Sequence, residues 1–251
     1  MNHTTLFAYV RRAPFGGRLT QAQISGMTSI LDEWGKRQLL DKRWLAYLLA
    51  TTFHETAATM QPIRERGGEK YLRSKPYYPW VGEGLVQVTW EENHRKFGAT
   101  KPGQLLTMPI AIRALFDGMI KGMFTGKKLS DYFSDKADDP VRARRIVNGT
   151  DKAKLIAGYY RNFYDAIMAA AEKDAPTDVK QEDAKPDDKP ASQSGTAVTT
   201  VGGLFGGAGL SAVLGVDNPY AFGIAALLIV LGAVAAFMFL TGRWQINRRP
   251  S

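Results

Sequence analysis

Three stretches of this chain hold residues whose types and spacing could do chemistry. They are Phe53-His-Glu-Thr56, Glu65, and the run Gly82-Glu-Gly-Leu-Val-Gln-Val-Thr-Trp90 followed by Asn93. Two carboxylates a short loop apart, then a Gly-flanked segment bearing Gln87 and Thr89, suggest acid/base hydrolysis of a glycosidic bond. One carboxyl group would protonate the leaving oxygen and the other would act on the opposite side of the sugar ring. Glu55 ends an apolar helical stretch with Phe53, Leu48 and Leu49 nearby. Such surroundings disfavour the charged carboxylate, as a general acid requires. Glu65 stands between Arg64 and Arg66, which would keep it ionised as a base. Gln87 and Thr89, two apart on a strand, would point to one face and hold a water or a sugar amide. Each residue also has a plain structural reading: Glu55 as a solvent-facing or cap residue, Glu65 as a surface charge in a basic loop, Gln87 and Thr89 as the outer polar face of a strand.

Other chemistries find little support. The chain has no Cys, so it has neither a disulfide framework nor a thiolate metal site. Its three His (His3, His54, His94) are too scattered for a metal cluster. His54-Glu55 begins like a zincin helix, but position 58 is Ala, and the second His is missing. Neither a Gly-x-Ser-x-Gly elbow nor a phosphate-cradling Gly-x-x-x-x-Gly-Lys loop occurs. No cofactor or metal is expected.

The 251 residues suffice for one medium domain with appendages. Residues 1–171 carry 26 basic and 16 acidic residues, net +10, whereas 172–190 are net −3. A basic domain attracts polyanions. The Lys and Arg are dispersed and no nucleic-acid motif accompanies them, so no nucleic-acid partner is expected. Met1–Leu19 lacks the apolar run of a signal peptide.

The elements that must position these residues are mostly helical. Thr20 caps a helix whose apolar residues Ile24, Met27, Ile30, Leu31 and Trp34 recur at helical spacing, with Gly35 at its end. A second helix begins after Asp41 and runs towards Ala58, presenting Glu55. Met60–Tyr78, with Pro62, Gly67, Gly68 and Pro76, reads as loop or short hairpin. Leu85-Val-Gln-Val alternates as a short strand would. Ile110–Gly122 and Val141–Ile146 read as helical, and Leu155–Ala171 as the final helix of the domain.

Residues 172–194 are rich in Asp, Lys, Pro, Gln and Ser, with almost nothing to bury, and read as a disordered charged linker. A Gly-rich segment, 195–218, follows. Tyr220–Leu240 is free of charge. At about 1.5 Å per residue it spans roughly 30 Å, a bilayer core, so 219–242 reads as a transmembrane helix. Tyr220 and Trp244 sit at its ends as interfacial aromatics do, and 243–251 form a short basic tail. By the positive-inside rule the arginines at 243, 248 and 249 place that end in the cytoplasm and the domain towards the wall. Retention of the domain in the cytoplasm until lysis is the competing placement.

Taken together, Phe53-His-Glu-Thr56, Gln61-Pro-Ile-Arg-Glu65-Arg-Gly67 and Gly82-x-Gly-Leu-Val-Gln-Val-Thr-Trp90 with Asn93 resemble glycoside hydrolase family 19. The closer likeness is to the compact phage-type endolysins related to family 19 chitinases. Asp117–Gly126, Leu129-Ser-Asp-Tyr132 and Ala143-Arg-Arg-Ile-Val-Asn-Gly149 extend the likeness over roughly residues 18–168. The resemblance implies a mainly α, lysozyme-like two-lobed domain with a small β-hairpin over residues 1–171. It implies an inverting mechanism with Glu55 as general acid, Glu65 as general base and Thr89 positioning the attacking water. Gln87, Asn148, Trp80 and His54 would contact substrate. Inversion needs the two carboxyl groups about 6.5–9.5 Å apart. One departure stands out: the family usually reads Gly-Arg-Gly where this chain has Gly82-Glu83-Gly84. Glu83 would be exposed, or paired with Arg73, Arg144 or Arg145.

The expectation is therefore a membrane-tethered peptidoglycan hydrolase at the bacterial inner membrane, cleaving β-1,4 bonds of the wall glycan. The alternatives are a chitinase acting on β-1,4 N-acetylglucosamine polymers and a catalytically inactive wall-binding lysis accessory protein.

Overall fold

The computed structural model describes residues 1–172 and 176–188. The expected membrane helix 219–242, the Gly-rich segment 195–218 and the tail 243–251 lie outside the described residues. Among the described residues, no helix is long and apolar enough to cross a membrane.

The described chain is mainly helical. Its seven α-helices are α1 (His3–Arg12), α2 (Gln21–Lys36), α3 (Lys42–Glu55), α4 (Glu69–Arg73), α5 (Glu91–Lys96), α6 (Met108–Lys121) and α7 (Ala153–Ala171). Two short antiparallel pairs accompany them. In one, β1 (Ile63–Arg64) pairs with β2 (Glu83–Gly84), Ile63 opposite Gly84; in the other, β3 (Phe133–Ser134) pairs with β4 (Ala137–Asp138).

Helix α3 is the axis of the core. Asp41 caps it, its side chain accepting from the Arg43 amide, and every residue from Leu45 to Phe53 is buried. A helix apolar on all faces must be surrounded. Helices α1 and α7 pack together and α7 lies along α3, with Phe53 in edge contact with Phe15 (5.0 Å) and Tyr159 (4.7 Å). Each fully buried Leu of α3 contributes roughly 1.5–3 kcal/mol.

The helix stops at Glu55, short of the expected Ala58. Ala57 and Ala58 adopt left-handed backbone angles, and the Ala58 amide returns to the Phe53 carbonyl. The chain then passes so close to α2 that a Cβ at Gly26 would lie 1.8 Å from the Met60 carbonyl oxygen. Only glycine permits that approach.

The Thr20 cap of α2 is present as a full capping box with Gln23. Val141–Ile146 forms a 3-10 turn over Arg142–Ile146 instead of an α-helix. Helices α1, α4 and α5 have no counterpart in the sequence reading.

Residues 176–188 differ most from expectation. They lie against the C-terminal end of α1 instead of forming an unfolded linker. The Arg11 guanidinium donates to the Asp183 and Lys185 carbonyls and to the Asp187 carboxylate. The same carboxylate accepts from the Leu19 amide at 2.7 Å, and Arg12 pairs with Asp178. Polar anchoring replaces the apolar burial that the segment lacks.

Candidate functional site

Strand β1 delivers Glu65, and the start of the second motif receives it. The Glu65 amide donates to the Gly82 carbonyl at 2.5 Å, and the Gly82 amide donates to Glu65 Oε2 at 3.0 Å. The Tyr77 hydroxyl donates to Oε1 at 2.9 Å. Burial, and then this bond to a carboxylate, push the Tyr77 phenol up to about 12, so it remains a donor at ordinary pH. Of the flanking arginines, Arg64 turns to Glu69 at 3.2 Å.

The Leu85–Val88 stretch is a turn, not the expected strand. Glu83 and Val88 exchange both backbone hydrogen bonds (3.0 and 2.9 Å) around residues 84–87. Gly84 (φ +91°) and Gln87 (φ +53°) supply the left-handed angles that close it. Leu85, Val86 and Val88 are all buried, so the alternation marks a tight loop pressed into the core. This turn still gathers the expected side chains. The Gln87 amide nitrogen donates to the Ile63 carbonyl at 3.1 Å, and the Thr89 hydroxyl donates to the Gln87 carbonyl at 3.1 Å. A Cβ built on Gly82 would lie 3.0 Å from Gln87 Oε1, 3.4 Å from Thr89 Oγ1 and 3.4 Å from Glu65 Cβ. Gln87, Thr89 and the base of the Glu65 side chain thus converge on Gly82.

Glu55 belongs to a second group. Its carboxylate accepts from Arg144 Nη1 at 2.5 Å, and Arg144 Nε donates to the Asp151 carbonyl. Sequence reasoning expected an apolar environment for Glu55, whereas a guanidinium occupies it. His54, one residue before, is pushed down by burial, with the Glu55 charge opposing. Asn148 is exposed; its amide donates to the Arg144 carbonyl, and its Oδ1 accepts from Gly149. Asn148 therefore joins the Glu55 group through Arg144. Residues 56–64 link the two groups along the chain.

Trp80 is half-buried beside the Glu65 group. Its amide donates to the Tyr77 carbonyl, and its ring stands edge-on to His94 at 5.2 Å. Trp90, 49% exposed, meets Tyr77 at 5.5 Å and presents an open aromatic face next to Thr89.

Glu83 is neither exposed nor paired with an arginine. It is buried, and both its oxygens accept from the Gly103 amide at 2.7 and 2.9 Å. Arg73 bonds to Glu69 and Arg144 to Glu55. Tyr77, Arg144 and His94 are the residues that sequence reasoning did not assign to the site. Arg144 lay within a quoted motif, but nothing local points it at Glu55. Tyr77 lies in the stretch that reads as loop or short hairpin. Among the described residues, no group of three or more His, Asp or Glu side chains is gathered as a metal site would require. No family model, curated protein or solved structure matches this chain.

Proposed function

We propose that this chain is a peptidoglycan hydrolase that cleaves β-1,4 glycosidic bonds with inversion, through Glu55 and Glu65. The observation that supports this most is the meeting of Glu65, Gln87 and Thr89 around Gly82. A base needs its carboxylate fixed and polar groups beside it to seat a water. Two donors, Tyr77 and the Gly82 amide, fix the Glu65 oxygens, with the Thr89 hydroxyl and the Gln87 side chain close at hand. In this reading Glu65 takes the proton of the attacking water. Glu55, an ion-paired carboxylate at rest, must first take up a proton; it then gives that proton to the departing glycosidic oxygen, and the Arg144 guanidinium balances the carboxylate left behind. Trp80, His54 and Asn148 contact the sugars. The helical architecture is read as lysozyme-like and two-lobed. One lobe carries Glu55 on α3, and the other carries Glu65 in the 63–96 segment. Residues 219–242 tether the enzyme to the inner membrane, with the domain towards the wall.

The test is hydrolysis of purified peptidoglycan, beside chitin oligomers, by the full chain and by its Glu55→Gln variant, with products analysed by mass. Wall fragments with new reducing ends from the parent alone support the reading. Cleavage of chitin alone moves the substrate to N-acetylglucosamine polymers. Folded protein that cleaves neither refutes the hydrolase assignment and leaves a wall-binding role.

A further inference from the structure

Trp90 combines a backbone that suits glycine with a ring that the fold leaves half open. Its angles, φ +75° and ψ 141°, fall close to a region that glycine alone enters freely. Among the described non-glycine residues its φ is the most positive. Three hydrogen bonds impose these angles. The peptide group before Trp90 is held at both ends. Its N–H donates to the Trp80 carbonyl at 2.9 Å, and its oxygen, that of Thr89, accepts from Asn93 Nδ2 at 2.9 Å. The peptide group after Trp90 accepts from the His94 amide at 3.0 Å, where α5 begins. The two planes that meet at the Trp90 Cα are therefore set whatever side chain stands there. Glycine could make the same three bonds without a Cβ to disfavour the angles.

The ring is 49% exposed, and it meets the edge of Tyr77 at 5.5 Å. Strain that the surroundings hold in place, under a side chain only half used in packing, points to a role outside the fold. Tyr77 ties that role to the site, because its hydroxyl donates to Glu65 Oε1 at 2.9 Å. Glu65, Tyr77 and Thr89 are each partly exposed. The indole face thus lies one side chain away from a carboxylate that solvent reaches.

A flat, uncharged face suits a ligand with a flat, apolar face of its own. In β-1,4-linked N-acetylhexosamines the ring substituents are equatorial. Axial C–H groups are left to cover an indole, while hydroxyl and amide groups stay at the rim for hydrogen bonds. The acidic residues that follow Trp90 are already balanced, Glu91 by Arg95 and Glu92 by Lys96. We propose that Trp90 is the stacking platform for the N-acetylhexosamine unit bound next to Glu65, held for that purpose at angles that glycine would adopt more easily. The inference rests on the site taking a glycan, and it names the sugar face that the site recognises.

The test is titration of the full chain with a soluble N-acetylglucosamine tetramer, followed through amide NMR signals. It is run in a Glu55→Gln background to suppress turnover, with Trp90 kept or changed to Phe, Ala or Gly. Trp90→Ala and Trp90→Gly should each weaken binding about tenfold, and Trp90→Phe should weaken it less, because a flat ring remains. Stability should follow another order. Trp90→Gly should unfold at a higher urea concentration than Trp90→Ala, since it alone lacks the Cβ. Affinity that tracks the ring while stability tracks the backbone supports the platform. A parent that does not bind the tetramer overturns it, as does unchanged affinity in Trp90→Ala or a Trp90→Phe loss as large as that of Trp90→Gly. An Ala variant more stable than the Gly variant overturns the strained backbone. Failure of the hydrolase reading looks different. A chain that binds the tetramer through Trp90 but cleaves no glycan sinks the hydrolase and leaves the platform, whereas an active chain indifferent to Trp90→Ala does the reverse.

Discussion

Arg144 grips Glu55 through a 2.5 Å ion pair almost closed to solvent, the arginine side chain 5% and the glutamate side chain 14% exposed. The two residues lie 89 positions apart, so this contact fixes the 142–146 turn to the end of α3. Removing one partner of a buried pair strands the other, at a cost of roughly 3–5 kcal/mol. Arg144→Ala should therefore lower the unfolding free energy by about 3 kcal/mol. Glu55→Gln should cost less, because its amide oxygen still accepts from the guanidinium. Urea unfolding of the two variants checks the order, and the reverse order would refute the asymmetry.

Gly82→Ala separates site geometry from fold. The added methyl would press on Gln87 Oε1, Thr89 Oγ1 and Glu65 Cβ. At 3.0–3.4 Å the neighbours must give way by tenths of an ångström, which the arrangement would tolerate poorly if it is the proposed base site. Turnover should fall by up to roughly 100-fold while the thermal midpoint changes little. Rates and melting curves of parent and variant decide this, and a fully active Gly82→Ala would make the convergence on Gly82 incidental.

The 176–188 segment should detach in acid and in salt. Burial pushes Asp187 up, but hydrogen bonds from Arg11 and the Leu19 amide outweigh it and hold the carboxyl below its usual value. A hydrogen bond from Arg12 does the same for Asp178. Carboxyls depressed in the docked state stabilise docking above the ordinary value of 3.8 and lose that effect as pH falls through the lowered one. Protection of the α1 amides, taken relative to the intrinsic exchange rate at each pH, should therefore fall below about pH 4, and with added salt at neutral pH. A chain ending at residue 188 should keep slow exchange there, and one ending at 175 should not. Equal exchange in the two would show that the segment does not hold α1.

Local signals were legible in the sequence, whereas contacts between distant segments were not. The Thr20 cap and the helix start after Asp41 are set by residues three or fewer positions away, so pattern alone finds them. Gln87 and Thr89 both lie against Gly82, but from a turn and not from one face of a strand. Alternation in Leu85-Val-Gln-Val is ambiguous because the left-handed angles at Gly84 and Gln87 turn both Leu85 and Val86 inward. The Glu55–Arg144 pair depends on folding and has no local signature. Residues 176–188 were misread for a different reason. Composition reports how much apolar surface a segment can bury, and this one is held by the guanidinium groups of Arg11 and Arg12 and by the Leu19 amide.

Tyr77 tests whether fixing Glu65 matters to rate. Its hydroxyl donates to Glu65 Oε1, while its ring meets Trp90 edge-on at 5.5 Å. Tyr77→Phe keeps the ring and deletes only the donor. Hydrogen bonds to charged groups are worth about 1.5–3 kcal/mol. If roughly 1.4 kcal/mol of that acts in the transition state, the rate falls about tenfold. On the proposed hydrolase reading the loss should appear in kcat, with KM nearly unchanged, because the Tyr77–Trp90 aromatic contact is intact. Tyr77→Leu removes donor and ring together, so it should add a rise in KM to the same fall in kcat. Steady-state kinetics on wall glycan distinguish the two contributions, and a Tyr77→Phe enzyme as fast as the parent would leave the Gly82 amide as the group that matters for holding the base.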